Sequence, residues 1–293
     1  SPDDLAGRMR RAAAPEPPPL LGPIPPEVGE VELAVTALGE FEQCPMLYRW
    51  RHELRAPVRP AAEAGAGPDR AESLDAATLG TLYHRCMELL DFADPQPAGA
   101  LVSRALAEME LAEVTDPEPL AAELARMIDL LRGGPLWSEL SDAPRAYREL
   151  DFVLDARPAV LRGQIDLLYR SADGRWHILD YKSDRLHDGE TPAGHAARYE
   201  VQMLAYADAA GRFLAAGPDD DAAVADASLY FLRSGQTHTF ELTPAALTAG
   251  RERIAALARR LIASRRSGRF ERCESGACRF CTYGRLCRNA GAD

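Results

Sequence analysis

Leu161-Arg162-Gly163-Gln164-Ile165-Asp166-Leu167 and, beyond the turn signal Ala172-Asp173-Gly174, Ile178-Leu179-Asp180-Tyr181-Lys182-Ser183 are two short apolar runs punctuated by charge. Runs rich in Leu, Ile and Tyr and bounded by turn residues read as paired strands. Side chains two apart on a strand share a face, so Asp180 and Lys182 point one way and Tyr181 the other. Asp166, on the neighbouring strand, can reach that same face. Two carboxylates and one ammonium are thereby expected at adjacent strand ends.

Hard oxygen ligands so placed suit Mg²⁺ (or Mn²⁺), which keeps several waters and binds few carboxylates alongside a substrate phosphate. The ammonium can then orient or help deprotonate an attacking water and stabilise charge on the phosphate. By itself D-x-K is common, but G-x-x-D on the preceding strand makes the pattern more specific. A second fact sharpens it: of 34 Lys plus Arg, Lys182 is the only Lys. In a chain crowded with Ala, Arg, Gly and Pro, a surviving Lys marks a place where a planar guanidinium does not substitute for a compact ammonium.

Outward from this core, 146–155, 160–170 and 175–182 read as three consecutive, mostly antiparallel strands. A helix at 196–215 follows, then strands at 226–233 and 237–242 and a long helix at 244–266. Upstream, helical patterns cover 36–54 (with Thr36 as N-cap), 78–92, 98–113 and 117–133, and Gly133-Gly134-Pro135 ends that block. The order predicts a mixed α/β (α+β) domain with a central sheet flanked by helices. The helical part spans 36–135, the core 145–242, and a C-terminal helix with a cysteine-rich end 243–290, all within one domain at 31–293. Residues 56–76, rich in Ala, Pro and Gly, read as a mobile loop. Residues 1–30 hold eight Pro, seven of them within 15–26, and read as an extended linker, and with the initial Ser they suggest a piece of a longer protein.

The net charge of −11 argues against a general nucleic-acid-coating protein, yet residues 251–293 carry eleven Arg against four acids. A basic C-terminal section on an acidic body fits local contact with phosphate. Neither a signal peptide nor an 18-residue apolar run is present, so a cytoplasmic protein with no membrane partner is expected.

Together these segments resemble the PD-(D/E)xK nuclease domain of the RecB and AddAB type, over roughly residues 33–290. Gly80-Thr81-Leu82-Tyr83-His84 resembles that family's early helix with a metal-ligating His. Gln202-Met203-Leu204-Ala205-Tyr206 resembles its Q-x-x-x-Y motif, and Glu149 its acidic position on the strand before Asp166. Asp180 lacks the preceding Pro of the family name. The resemblance implies a restriction-endonuclease-like core, with Asp166, Asp180, Lys182, Gln202, Tyr206 and Glu149 at the catalytic site. It makes His84, Asp166 and Asp180 the metal ligands. It also implies DNA as substrate, whether single strands or ends, and work at the bacterial nucleoid in DNA end processing. A helicase motor would lie in the same polypeptide or in a partner subunit. From the residues alone, Gln202 and Tyr206 are four apart and share a helix face, either contacting DNA, propping the site or simply packing. Glu149, like Asp151, can also be read as a strand-surface charge.

Six cysteines occur, three of them as C-x₂-C-x₅-C from Cys278 through Cys281 to Cys287. Without a secretion signal, ligation of a metal or cluster is the better reading than disulfides. Cys44 or Cys273 can supply a fourth thiolate, and Cys86 reads as a small buried filler. The arrangement resembles the iron–sulfur nucleases of the AddB, Dna2 and Cas4 type, where one distant N-terminal Cys joins three at the C-terminus. That favours Cys44 and a [4Fe–4S] cluster, with Zn²⁺ as the alternative. Competing readings are a stand-alone Cas4-like exonuclease, a nuclease-like DNA-binding scaffold without activity, and a zinc-bound structural protein.

Overall fold

A computed structural model describes residues 31–57, 74–112, 116–184, 186, 189–216, 223–273, 278 and 281–289. The Pro-rich linker expected at 1–30 and most of the loop expected at 56–76 lie outside the described residues. The chain runs β1 (Val31–Ala34), α1 (Val35–Gln43), α2 (Pro45–Tyr48), α3 (Ala76–Leu89), α4 (Ala98–Glu108), α5 (Pro117–Arg132) and α6 (Pro135–Ser141). Next come β2 (Arg145–Ala156), β3 (Ala159–Arg170), β4 (Trp176–Lys182), α7 (Pro192–Ala196) and α8 (Glu200–Ala215). It closes with β5 (Val224–Phe231), β6 (Gln236–Glu241), α9 (Pro244–Ser267) and α10 (Gly284–Asn289).

The hub of the six-stranded sheet is β3. One edge pairs antiparallel with β2 along its whole length, from Arg145↔Arg170 to Ala156↔Ala159. The other edge is shared. At one end β1 lies parallel, Val31↔Ala159 to Ala34↔Arg162, and at the other β4 lies antiparallel, Leu167↔Leu179 to Arg170↔Trp176. Between them residues 163–166 face neither strand: the β3–β4 ladder stops at Leu167↔Leu179, while the other edge of β4 pairs in parallel with β5 along its whole length, and β5 pairs with β6. The sheet therefore forks at Asp166.

Both faces are covered, which explains why β3 and β4 read as near-continuous apolar runs rather than alternating ones. On one side Leu161, Leu168 and Ile178 pack with Leu38, Phe41, Met203 and Leu257 from α1, α8 and α9. On the other, Leu167, Leu179 and Tyr181 pack with Leu82, Met87, Leu106 and Leu124 from α3, α4 and α5. The expected mixed α/β architecture with a flanked central sheet is observed.

Several boundaries differ from expectation. The helix expected at 36–54 is preceded by β1, and Ala34 rather than Thr36 is its N-cap. It also breaks at Cys44, which is extended (φ −163°, ψ 112°). Pro45 disfavours the helical conformation of the residue before it and then opens α2 from its first position. Likewise Pro135 does not end the helical block but starts α6. The helix expected at 78–92 starts at Ala76, because the Asp75 carboxylate accepts from the N–H groups of Ala77 and Thr78, each at 2.9 Å. The segment expected as one helix at 196–215 is α7, a tight turn at Ala197–Tyr199 and then α8.

Candidate active site

Asp166 and Asp180 would face each other in the next step of the β3–β4 ladder, which stops one pair earlier at Leu167↔Leu179. Instead Asp166 Oδ2 accepts the backbone N–H of Tyr181 at 2.8 Å, so a carboxylate holds the fork where a carbonyl would have continued the ladder. Lys182, two residues on from Asp180 and on the same face, puts Nζ 2.6 Å from Asp180 Oδ2.

Helices on the two faces complete the site. From α3, His84 brings Nδ1 to 3.3 Å from Asp166 Oδ2. From α8, Gln202 Nε2 donates to Asp180 Oδ1 at 2.8 Å and to the Tyr206 hydroxyl at 2.8 Å. Of the alternatives open for Gln202 and Tyr206, the observed contacts are those of a prop under Asp180. Tyr206 is itself braced by an edge-on contact with Phe152 at 5.6 Å. The end of the Phe152 ring lies against Gly163, where an added Cβ would meet its Cζ at 2.5 Å. The Gly of G-x-x-D is thus a space requirement.

Two clefts open on these residues. One, of about 460 Å³, is lined by Asp166, Asp180, Lys182, Gln202 and Asp151, and reaches the start of α1 at Thr36. The other, of about 520 Å³, is lined by His84, Asp166, Glu149, Glu88 and Asp184. The β2–β3 register places Glu149 opposite Asp166, but at φ +48° its backbone is turned out of the ladder. Glu149 and Asp151 therefore serve different clefts.

Electrostatics separate the acids. Burial pushes the Asp180 carboxyl up, Lys182 opposes the shift, and the Asp166 charge adds to it. Burial also acts against Asp166 ionising, yet His84, Lys182 and the Tyr181 N–H hold it below the usual range. For His84 burial disfavours the charged form, and Asp166 outweighs it, so its pKa is raised. Burial, helped by the charges of Asp166 and Glu88, lifts Glu149 to about 7.

The donor set fits a hard divalent cation. Asp180 Oδ2 is buried without a hydrogen bond of good geometry, its neighbour being the Lys182 ammonium. Two buried carboxylates that repel each other at a fork, with an imidazole beside them, are what such an ion would relieve. Among the described residues no group of three or more Cys, His, Asp or Glu is already drawn around a single point.

The cysteines lie elsewhere. Cys44 sits at the α1–α2 break, and the Met46 N–H donates to Glu271 O at 3.2 Å, bringing the first helices against the C-terminal segment. Burial raises the Cys287 thiol pKa, Arg272 counters this, and the charges of Cys44, Cys281 and Cys278 raise it further. Among the described residues these thiols are not drawn together into a cluster site, so the expected four-cysteine site is not formed here. The Cys278 thiol also donates to the Cys273 carbonyl at 2.8 Å. Cys86 is fully buried among Leu82, Met87 and Leu90, as expected of a filler.

Sequence reasoning missed Tyr199, whose ring centroid is 4.4 Å from Lys182 Nζ. It also missed Arg233, whose Nε donates to Ser183 O at 2.8 Å. Spacing hints at the first: Tyr199, Gln202 and Tyr206 stand at i, i+3 and i+7, with Tyr199 as the N-cap of the helix that carries the other two. No local signal marks the second.

A forked mixed sheet with two carboxylates and a lysine at the fork, flanked by helices on both faces, defines a restriction-endonuclease-like fold. The chain belongs to the PD-(D/E)XK nuclease superfamily, whose family model matches residues 32–288. It is 28% identical over 149 residues to an ATP-dependent helicase/nuclease subunit from Staphylococcus epidermidis. That match covers 44% of this chain and 12% of the relative. Among solved structures, one from Eubacterium rectale named "Putative exonuclease" is 10% identical with a TM-score of 0.47, over 86% of this chain and 87% of that one. Among the described residues no helix is long and apolar enough to cross a membrane.

Proposed function

We propose that this nuclease hydrolyses phosphodiester bonds of DNA with Mg²⁺ (or Mn²⁺), as the nuclease module of a helicase–nuclease that processes DNA ends in break repair. The observation that carries the reading is the buried Lys182–Asp180 pair at 2.6 Å, beside Asp166 at the fork. Asp166, Asp180 and His84 are the residues that would hold the metal. When bound, that ion polarises the phosphate and lowers the pKa of a water. Lys182 places its ammonium where a phosphate oxygen or the attacking water sits and stabilises the charge that develops there. Gln202, fixed by Tyr206, holds the Asp180 carboxylate in one orientation, in which it could serve as a ligand. Glu149, lifted to about 7, can take up or release a proton near neutral pH. The basic section at 251–293 supplies phosphate contacts away from the chemistry.

In this reading the relative from Staphylococcus epidermidis supports a motor partner. The sequence has no G-x-x-x-x-G-K-[ST] motif, so the motor would be separate from these residues. Cys44, Cys278, Cys281 and Cys287 would hold a [4Fe–4S] cluster that staples the first helices to the last. The support for this is the C-x₂-C-x₅-C spacing together with the resemblance of the cysteine pattern, and Zn²⁺ is the alternative.

The test is cleavage of end-labelled single- and double-stranded DNA with Mg²⁺, by wild type and by Lys182→Ala. Loss of cleavage with retained folding and DNA binding supports the mechanism. Cleavage by Lys182→Ala at the wild-type rate overturns it, and an inactive wild type with intact DNA binding identifies a scaffold. For the cluster, anaerobic protein should be brown and contain iron and sulfide, and Cys44→Ser should destabilise it far more than Cys273→Ser. A colourless, stable, zinc-loaded protein overturns that part.

A further inference from the structure

Lys182 Nζ is held from two sides. Asp180 Oδ2 lies 2.6 Å away, and the face of the Tyr199 ring lies 4.4 Å from Nζ to centroid, with the lysine side chain only 12% exposed. A cation over an aromatic face gains most where water is excluded. An aromatic face also attracts an ammonium without adding negative charge, so it does not repel an arriving phosphate as a third carboxylate would.

The ring is itself anchored. Its hydroxyl donates to Asp184 Oδ2, which also lies 3.1 Å from Nε2 of the buried His195. His195 Nδ1 is within 3.0 Å of Glu190 Oε2, and its ring stands edge-on to Phe231 at 5.4 Å. The tight turn ending at Tyr199 and the helix it caps therefore bring three residues to the site: Tyr206 braces Gln202, Gln202 holds Asp180, and Tyr199 meets Lys182. The motif Q-x-x-x-Y extends upstream to Y-x-x-Q-x-x-x-Y.

We propose that Tyr199 is the positioning residue for Lys182, its ring face holding the ammonium on the cleft side and its hydroxyl, tied to Asp184, fixing the ring. The inference rests on the reading of Lys182 as the group that acts on phosphate or water. Without the ring the four-carbon stem regains its rotamers, and the ammonium spends less time where the reaction needs it. The effect belongs in kcat, since no contact with the rest of the DNA is lost.

The test compares kcat and KM for DNA cleavage with saturating Mg²⁺ across Tyr199→Phe, Tyr199→Leu, and mono-, di- and trifluorophenylalanine placed at position 199. Tyr199→Leu should lower kcat about tenfold or more with KM unchanged. Tyr199→Phe should fall between it and wild type, because the ring stays but its anchor is lost. Fluorination withdraws density from the ring face while hardly altering its size, so kcat should drop stepwise with each fluorine even if the Leu variant fails to fold. A flat fluorine series, or a Leu variant with wild-type kcat, overturns the proposal. Lys182→Ala separates this from the underlying reading. If it is inactive while the fluorine series is flat, only the role of Tyr199 fails; if it cleaves normally, the mechanism itself fails.

Discussion

Asp166 Oδ2 accepts the backbone N–H of Tyr181 at 2.8 Å, so one carboxylate both belongs to the candidate metal site and closes the fork between β3 and β4. Structure and chemistry there depend on different properties of one side chain, the first on an acceptor oxygen and the second on a negative charge.

Asp166→Asn and Asp166→Ala separate the two. Both remove the charge, and cleavage should be lost in both. Only Ala leaves the buried Tyr181 N–H without an acceptor, so it should be less stable than Asn by about 1–2 kcal/mol in urea unfolding. Equal stability of the two variants would show that the hydrogen bond does not hold the fork.

Gly163→Ala places a Cβ within 2.5 Å of Phe152 Cζ. The ring must move, and Tyr206, edge-on to it, loses its brace. The expected cost is about 1–3 kcal/mol, with a fall in cleavage as Gln202 loosens its hold on Asp180. Phe152→Leu in the same chain should recover most of both. If the double variant is no better than Gly163→Ala, the clash is not the cause.

Arg233 ties two layers together at the site. Its guanidinium pairs with Glu123 on α5, which accepts the Tyr83 hydroxyl at 2.6 Å, while Nε holds the Ser183 carbonyl just past Lys182. The helix carrying His84 and the strand carrying Lys182 are thus linked through one half-buried ion pair. Arg233→Met leaves Glu123 with the Tyr83 hydroxyl and with Arg126 at 4.0 Å, so it should cost about 1–2 kcal/mol. Faster amide exchange should be concentrated in α3 and at the end of β4. A uniform change across the sheet would count against a local strut.

At the far end of β4, His177 Nδ1 lies 3.0 Å from Asp226 Oδ2, and Nε2 lies 3.0 Å from Ser171 Oγ. The Ser171 hydroxyl is also bound to the Arg175 carbonyl and to Asp173, so this trio locks the β3–β4 turn. Asp226 raises the His177 pKa. A raised histidine contributes stability that is fully present below its unfolded value of about 6.5 and is lost as pH rises through the folded one. Unfolding free energy should therefore fall from about pH 6 to pH 8. Asp226→Asn should shrink that fall without abolishing it, because Asp184 and Glu190 raise the buried His195 in the same direction. An unchanged fall in Asp226→Asn would remove His177 from the account.

Much of the site was legible because it is built from local regularities. The period-two register of β4 is enough to place Asp180 and Lys182 on one face, and the four-residue spacing of Gln202 and Tyr206 is enough to make them neighbours. The break at Cys44 was equally local, since Pro45 follows it, and it went unread only because the apolar pattern continued across it. The fork was not legible. Where the β3–β4 ladder stops is set by the strands and helices packed around it, with β1 on the same edge of β3 arriving from more than 100 residues away, and no period records that.

The sequence by itself therefore determined the mixed α/β class, the acidic pair with its single lysine, and the helical face behind them, because each is a matter of spacing along one strand or helix. Only the tertiary structure decided that Asp166 would hold the fork and that His84 would reach it from the opposite layer. It also decided that Tyr199 would lie against the lysine and that Arg233 would join the two layers. Those relationships arise where separate elements meet, and their geometry is set by packing between faces rather than by the order of residues within any one of them.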